Sequence, residues 1–319
     1  MSHSSRHWLE PFYKHIPLAS FLLWQSRFLT RLGARRVAIS LMQEFAQELS
    51  FARDGLRWTV PLQDQSITHN FFIFENWERR TLTQVIQWAA QRGHLQRGKV
   101  ILEVGANWGI TTLPLTTLTQ CDIIAIEPVP RTLAFLKQNV TQNNLRERVT
   151  IVERAVSEHA GEIEMIVPLA ALGGAEVGAR AQARPEAIFQ DSCESVRVKT
   201  TRLDALLSEL ALAPRDVAFV WCDAQGSEGA VIRTGESFWR AGVPLWAEIA
   251  PLLVSRQENL QNFISTVKRH FETYLPRTML EAKGVDAAPL PIDTFDEFVA
   301  RLTGEAQMDV LLVPPQAAA

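Results

Sequence analysis

Cysteine is scarce in this chain: three residues in 319, at positions 121, 193 and 222. No two form a C-x-x-C pair and three cannot make an even framework. That argues against a disulfide scaffold or a zinc knuckle and fits a reducing compartment. Long apolar runs are also missing. The longest near the N-terminus, IPLASFLLW (16–24), has nine residues, against roughly 20 for a membrane-spanning helix. A signal-peptide layout of basic start, apolar run and small-residue cleavage site is absent. The expectation is a soluble, cytoplasmic protein with membrane contact disfavoured. There is no basic excess either: 32 Lys and Arg stand against 35 Asp and Glu, net −3, so nucleic acid is a poor partner. Several catalytic signatures are missing as well. G-x-x-x-x-G-K-[ST] and H-E-x-x-H do not occur, nor does G-x-S-x-G, nor the Asn/Asp-Pro-Pro-aromatic mark of methyltransferases acting on exocyclic base amines.

What is present suits a large folded core. Apolar residues make up 47%, too many for wholesale disorder. Residues 1–50 read as helical, with Phe, Leu and Trp interleaved with arginines. Residues 1–57 carry eight Lys and Arg against four Asp and Glu. This stretch is either a helix pair capping the main core or a surface for a membrane or a partner subunit, including a homodimer. The division expected is an N-terminal helical extension over 1–54 and one large α/β domain over 55–319. GLRWTVPLQDQSITHNFFIF (55–74) reads as a hairpin-like strand pair, and 75–95 as an amphipathic helix. From residue 99 short apolar strands alternate with helices: KVILEV, DIIAIE, RVTIVE, DVAFVWCD, VPLWAEI and a final MDVLLVP. EIEMIV (162–167) and VRVKT (196–200) read as edge strands, and about 255–270 as one helix. Near-continuous apolar strands separated by helices mean a mostly parallel sheet covered on both faces. Between them, residues 168–194 hold seven Ala, three Gly and two Pro. That connection is too long to be ordinary, and reads equally as a substrate-covering lid or an inert insertion.

The strand VILEV runs into GANWGI (105–110). In an open parallel sheet ligands sit beyond the carboxyl ends of the strands, and Gly105 and Gly109 permit a tight turn there. A dinucleotide fingerprint needs G-x-G-x-x-G, but Asn107 and Ile110 occupy its second and third glycine positions. The pattern present is acid-x-Gly-x-Asn-x-Gly, Glu103 to Gly109, with a second acid, Glu127, 22 residues after Gly105. A carboxylate at that strand end can accept hydrogen bonds from a ribose diol. Without a phosphate loop, the ligand that fits best is an adenosine carrying no phosphate, S-adenosylmethionine. Glu103, Gly105, Asn107, Gly109 and Glu127, with Glu153 at the end of the third strand, form the expected cofactor-binding group. Trp108 could stack on the cofactor or simply pack.

EVGANWG, IEPVPRTLAFLKQNVTQNN, ERAVSEHAGEIE, TRLDALL and WCDAQGSEGAVI, in this order, resemble the FkbM family of S-adenosylmethionine-dependent methyltransferases from about residue 74 onward. The resemblance implies a class I methyltransferase fold, a Rossmann-like sheet usually of seven strands with the last antiparallel. It also implies O-methylation of a hydroxyl on a sugar, glycan or natural product. The family's fourth-strand end reads approximately Lys-x-Asp-x-Glu-Gly-x-Glu. Here Asp223, Gly226 and Glu228 match, Trp221 replaces the basic residue and Gln225 an acid.

Methyl transfer to a hydroxyl needs a base within reach of the proton it removes. Asp223, ending the fourth strand, is the first candidate, and Glu248, ending the fifth, the second. Asp223 could instead cap the following helix. Both oxygen ligands could suit a divalent cation, but no metal motif accompanies them and no metal is assigned. His69 and Glu78 could close the pocket. An alternative reading is a non-catalytic S-adenosylmethionine-binding protein whose N-terminal helices hold a partner; the altered fourth-strand motif is what separates the two.

Overall fold

The computed structural model describes residues 27–74, 78–178 and 193–316, with side chains from residue 33. Most of the N-terminal stretch, and the centre of the 168–194 connection, lie outside the described residues. The chain enters through helix α1 (Arg27–Gln43). Its Ile39 is buried, while Val37, Leu41 and Phe45, just beyond its end, stay exposed. The Arg35 guanidinium donates to the Ile73 carbonyl at 3.1 Å.

Next comes a hairpin of β1 (Glu48–Arg53) and β2 (Leu56–Pro61), paired antiparallel around Asp54 and Gly55. It lies earlier than the sequence suggests, and its pairing crosses the expected boundary at 54/55. The aromatic run at 71–74 is not its second strand: Ile67–Ile73 form helix α2. Asp64 decides this locally. Its Oδ1 accepts from the Ser66 and Ile67 amides at 3.0 and 3.2 Å, satisfying N–H groups that a starting helix leaves without intrahelical partners. Helix α3 (Arg79–Gln91) buries Leu82, Val85, Ile86 and Trp88 along one face.

The main sheet uses β3 (Val100–Val104), then α4 (Thr112–Leu118), β4 (Asp122–Ile126), α5 (Pro130–Gln142) and β5 (Val149–Val152). Pro130 stands at the start of α5, where its missing N–H costs nothing. A second small sheet follows: β6 (Ala155–Val156), β7 (Gly161–Pro168), β8 (Glu176–Val177) and β9 (Cys193–Thr201), ordered β6-β9-β7-β8. The two expected edge strands therefore pair with each other, not with the main sheet. After α6 (Leu203–Glu209) come β10 (Val217–Cys222), α7 (Glu228–Thr234), α8 (Glu236–Arg240) and β11 (Leu245–Ile249).

The helix expected over 255–270 is two, α9 (Pro251–Gln257) and α10 (Leu260–His270). Glu258 turns extended, and the Asn259 side chain caps α10 by accepting from the Gln261 and Asn262 amides, which restarts the helix. The chain ends through β12 (Thr273–Pro276), α11 (Arg277–Lys283), β13 (Leu290–Pro291), α12 (Phe295–Ala300) and β14 (Met308–Val313).

The main sheet runs β13-β12-β14-β11-β10-β3-β4-β5. Strands β5, β4, β3, β10 and β11 are parallel; β14 is antiparallel to both β11 and β12. Without the two-residue β13 this is a seven-stranded class I methyltransferase sheet, with the last strand inserted antiparallel. Alternate residues feed two apolar layers. Leu102, Val104, Val220, Leu245 and Ala247 face one core, and Ile101, Phe219, Trp221 and Trp246 the other. No helix among the described residues is long and apolar enough to cross a membrane.

Candidate active site

The carboxyl ends of β3, β4 and β10 meet at one turn. Beyond β3 the Gly105 and Ala106 amides donate to the Ile126 carbonyl at 3.0 and 3.1 Å, and the Asp223 amide donates to the Val104 carbonyl at 2.9 Å. Gly105 has φ +87°, and a β-carbon there would lie 1.9 Å from the Asp223 carbonyl oxygen. Only glycine allows β10 to end so close against this turn. Asn107 is also left-handed, at φ +51°. Its amide donates to Glu127 Oε2 at 2.7 Å and its own Oδ1 accepts from the Trp108 amide.

Glu127 is nearly buried. Its Oε1 accepts from the Val129 amide and the Thr132 hydroxyl, both at 2.8 Å. Burial raises its pKa against these hydrogen bonds. Glu103 lies beneath the turn, accepting from the Thr112 hydroxyl at 2.6 Å. Burial, with the Glu127 charge nearby, pushes its carboxyl up to about 8.

A cavity of about 660 Å³ opens above these strand ends, within the range of small-molecule sites. Gly105, Asn107 and Glu127 line it, as do Asp223 and Glu248. Ile126, Val129, Ala155, Val156 and Met165 give it an apolar wall. Ala171–Ala175, the described start of the long connection, lines it too. This segment is pinned by the Gln65 amide donating to the Ala170 carbonyl at 2.8 Å, and Gly173 leaves no room for a β-carbon beside Ile67 and Asn107.

Four expected residues stand elsewhere. Gly109 serves packing: a β-carbon there would meet Leu113 and Leu136 side chains at 2.8 and 3.0 Å. Glu153 is not brought to the cavity. Beyond the end of β5 it pairs with Lys137 at 2.6 Å, more than half exposed. Trp108 is fully buried, edge-on to Trp58 and Phe71. His69 contacts Gln43 Nε2 at 2.8 Å and is not among the cavity-lining residues.

Asp223 turns its side chain into the cavity and is accessible there. Gln225, left-handed at φ +49°, donates from Nε2 to Asp223 Oδ1 at 2.7 Å and reaches Glu248 Oε2 at 3.4 Å. The two acids therefore face one amide. The enclosing protein raises the Asp223 pKa, and burial beside Asp223 raises that of Glu248. Trp221, in the basic residue's place, stacks on Trp246 at 5.4 Å. Glu228 closes the turn by accepting from the Ala224 amide at 2.9 Å.

A group the motifs do not reveal adjoins this pair. Arg277, opening α11, holds Glu78 at 3.0 Å, Glu281 at 2.8 Å and Asp309 at 3.0 Å. All four line the cavity. In the sequence Arg277 is one charge after a four-residue apolar strand and Asp309 one acid inside the last strand. Their convergence depends on β14 inserting between β11 and β12.

The family description "Methyltransferase FkbM domain" matches residues 103–277, more than half the chain. The chain belongs to the FkbM methyltransferase family. It is an S-adenosylmethionine-dependent methyltransferase, and its matched span covers the turn after β3, the β10 end and Arg277. No curated protein matches the chain. Among solved structures, this methyltransferase is similar to Pyrococcus horikoshii TYW2 in complex with MeSAdo. Identity there is 12% over 84% of this chain and 70% of that one, TM-score 0.40. It is also similar to M. jannaschii TYW2 in complex with AdoMet, at 10% identity over 84% of each chain, TM-score 0.40. A methyltransferase FkbM from Methylobacillus flagellatus shares 11% identity over 70% of this chain and 47% of that one, TM-score 0.38.

Proposed function

We propose that this methyltransferase methylates a hydroxyl of a sugar, glycan or natural product, with Asp223 as the base. The observation that carries this is the place of Asp223: it directly follows β10, packed by its carbonyl against the Gly105 turn, with its carboxylate open to the cavity.

The residues present fit the cofactor. Among the described residues Glu127 Oε2 accepts one hydrogen bond, from the Asn107 amide, and so keeps capacity for a ribose hydroxyl. The apolar wall from Ile126 to Met165 suits an adenine ring. Bound there, S-adenosylmethionine supplies a methyl carbon whose bond to sulfur breaks with its electron pair leaving on sulfur.

The chain's own part is to hold the acceptor oxygen in line with that carbon and to take its proton. Asp223 receives the O–H proton as the new O–C bond forms. Gln225 orients the carboxylate by donating to Oδ1, leaving Oδ2 for the acceptor. The raised Asp223 pKa makes it a stronger base once ionised, so the rate should rise with pH as this carboxyl loses its proton. Glu248 stands behind it as a second acid on the same amide.

Loss of a general base typically costs ~10²–10⁴ in rate, about 3–5 kcal/mol of barrier. In Asp223→Asn, methyl transfer to an acceptor found by one-methyl mass gain should fall by that factor while cofactor affinity stays within a few-fold. A rate near wild type would move the base to Glu248.

A further inference from the structure

We infer that the acceptor is a hydroxyl compound that also carries an ammonium group, as in an amino sugar or amino alcohol. The inference rests on the methyltransferase reading of the cavity and concerns the part of it farthest from the Gly105 turn.

Five carboxylates face that part from five places in the chain: Glu78 before α3, Asp223 after β10, Glu248 in β11, Glu281 in α11 and Asp309 in β14. Arg277 spans three of them, and Arg80 lies beside Glu281, donating to its carbonyl at 3.1 Å; among the described residues these two guanidinium groups face five carboxylates. Glu248 and Asp309 are direct cross-strand partners, about 5 Å apart at their backbones. The cluster is thus short of positive charge by a wide margin, and its members repel one another as well as losing water.

Glu248 points to what is missing. It is only 9% exposed, and that exposure is toward the cavity it lines. One of its oxygens takes a long 3.4 Å contact from Gln225; the other has no hydrogen-bond partner among the described residues. A carboxylate so buried, with an oxygen free and aimed into a cavity, is costly unless a donor arrives from outside.

The turn that would carry the cofactor lies to one side of this cluster. In the sheet, β11 lies two strands from β3 and β14 lies three. At about 4.8 Å per strand this puts Glu248 roughly 10 Å and Asp309 roughly 14 Å from the strand that carries the cofactor turn. Nor is the cluster built for a metal: among the described residues no three carboxylate, His or Cys side chains are arranged to hold an ion. The stacked Trp221–Trp246 pair also lines the cavity, and an aromatic face beside carboxylates favours an organic cation. An ammonium among Glu248, Asp309 and the indoles leaves a neighbouring hydroxyl of the same molecule to reach Asp223.

The test titrates the full chain, first saturated with S-adenosylhomocysteine, with glucosamine, galactosamine and a set of small amino alcohols. Each is compared with its N-acetyl form at pH 7.5. At least one free amine should bind tenfold or more tightly than its N-acetyl form, and show a one-methyl mass gain when S-adenosylmethionine replaces the product. Asp309→Asn should cut that preference at least fivefold while leaving S-adenosylhomocysteine affinity unchanged, which separates loss of the charge from loss of the fold. Equal or tighter binding of the N-acetyl forms, no binding by any amine, or a preference that survives both Asp309→Asn and Glu248→Gln would overturn the inference. Saturation of the magnesium-treated protein by a tightly held ion that blocks the amines would overturn it in favour of a metal site. In every case the initial S-adenosylhomocysteine titration reports separately on the methyltransferase reading.

Discussion

Gly105 shows how much one missing side chain positions. Alanine there would put its β-carbon 1.9 Å from the Asp223 carbonyl oxygen at φ +87°, so backbone must move and a left-handed residue must be strained, at about 1–3 kcal/mol. Gly105→Ala should lower the melting temperature and weaken S-adenosylhomocysteine binding together. Thermal unfolding with and without the ligand checks this, and an unchanged ligand-induced shift would contradict it. That Gly105, Asn107, Glu127, Asp223 and Glu248 line the cavity was legible because each lies at or just past the end of an apolar strand, where a polar or glycine residue has few other reasons to be. Gly109 and Trp108 belong to the same turn, yet their partners, Leu136 and the Trp58–Phe71 pair, lie in distant elements that no local pattern names. Glu153 carries the same strand-end signal as Glu127. It points outward because β5 is the sheet's edge and Lys137 is there to meet it.

At the scale of elements, the β1–β2 hairpin is attached to the catalytic sheet through α5. Asn139, fully buried, accepts from the Thr59 amide at 2.7 Å and donates to the Thr59 and Trp108 carbonyls at 3.0 and 2.8 Å. One amide thus ties hairpin, helix and cofactor turn. Asn139→Ala strands three buried backbone groups, each costing about 1–3 kcal/mol when left unpaired. It should reduce unfolding stability by at least ~2 kcal/mol, read from the denaturant midpoint at constant slope. A midpoint unchanged within error would mean the hairpin docks by its apolar face alone. The parallel strands of the main sheet were readable because they are short, largely apolar runs set between helices. The hairpin, the split of α9 from α10, and β12 were not. Their boundaries are set by Asp64 and Asn259 side chains and by four residues, TYLP, too few to show a period. The small sheet was misplaced for a similar reason: strand propensity does not say which sheet a strand joins.

For the whole molecule, the buried acids set a pH dependence. Glu103 is pushed up to about 8, Glu228 to about 7 and Asp309 to about 7, in each case chiefly by burial. In the unfolded chain such groups titrate near 4. Between those values the folded protein holds more protons than the unfolded one, so stability falls as pH rises. The melting temperature should drop from pH 5 toward pH 8, with Glu103→Gln flattening the upper part of the decline. A melting temperature that climbs across this range would mean these acids ionise easily in the fold.

Every other role in the site depends on the cofactor binding in the cavity beside Gly105 and Glu127. The most direct measurement is calorimetric titration of S-adenosylhomocysteine into wild type and Glu127→Ala. Hydrogen bonds to a charged group contribute about 1.5–3 kcal/mol each, so the variant should bind at least tenfold more weakly while remaining folded by circular dichroism. Equal affinity in a folded Glu127→Ala protein would place the cofactor elsewhere and contradict the account.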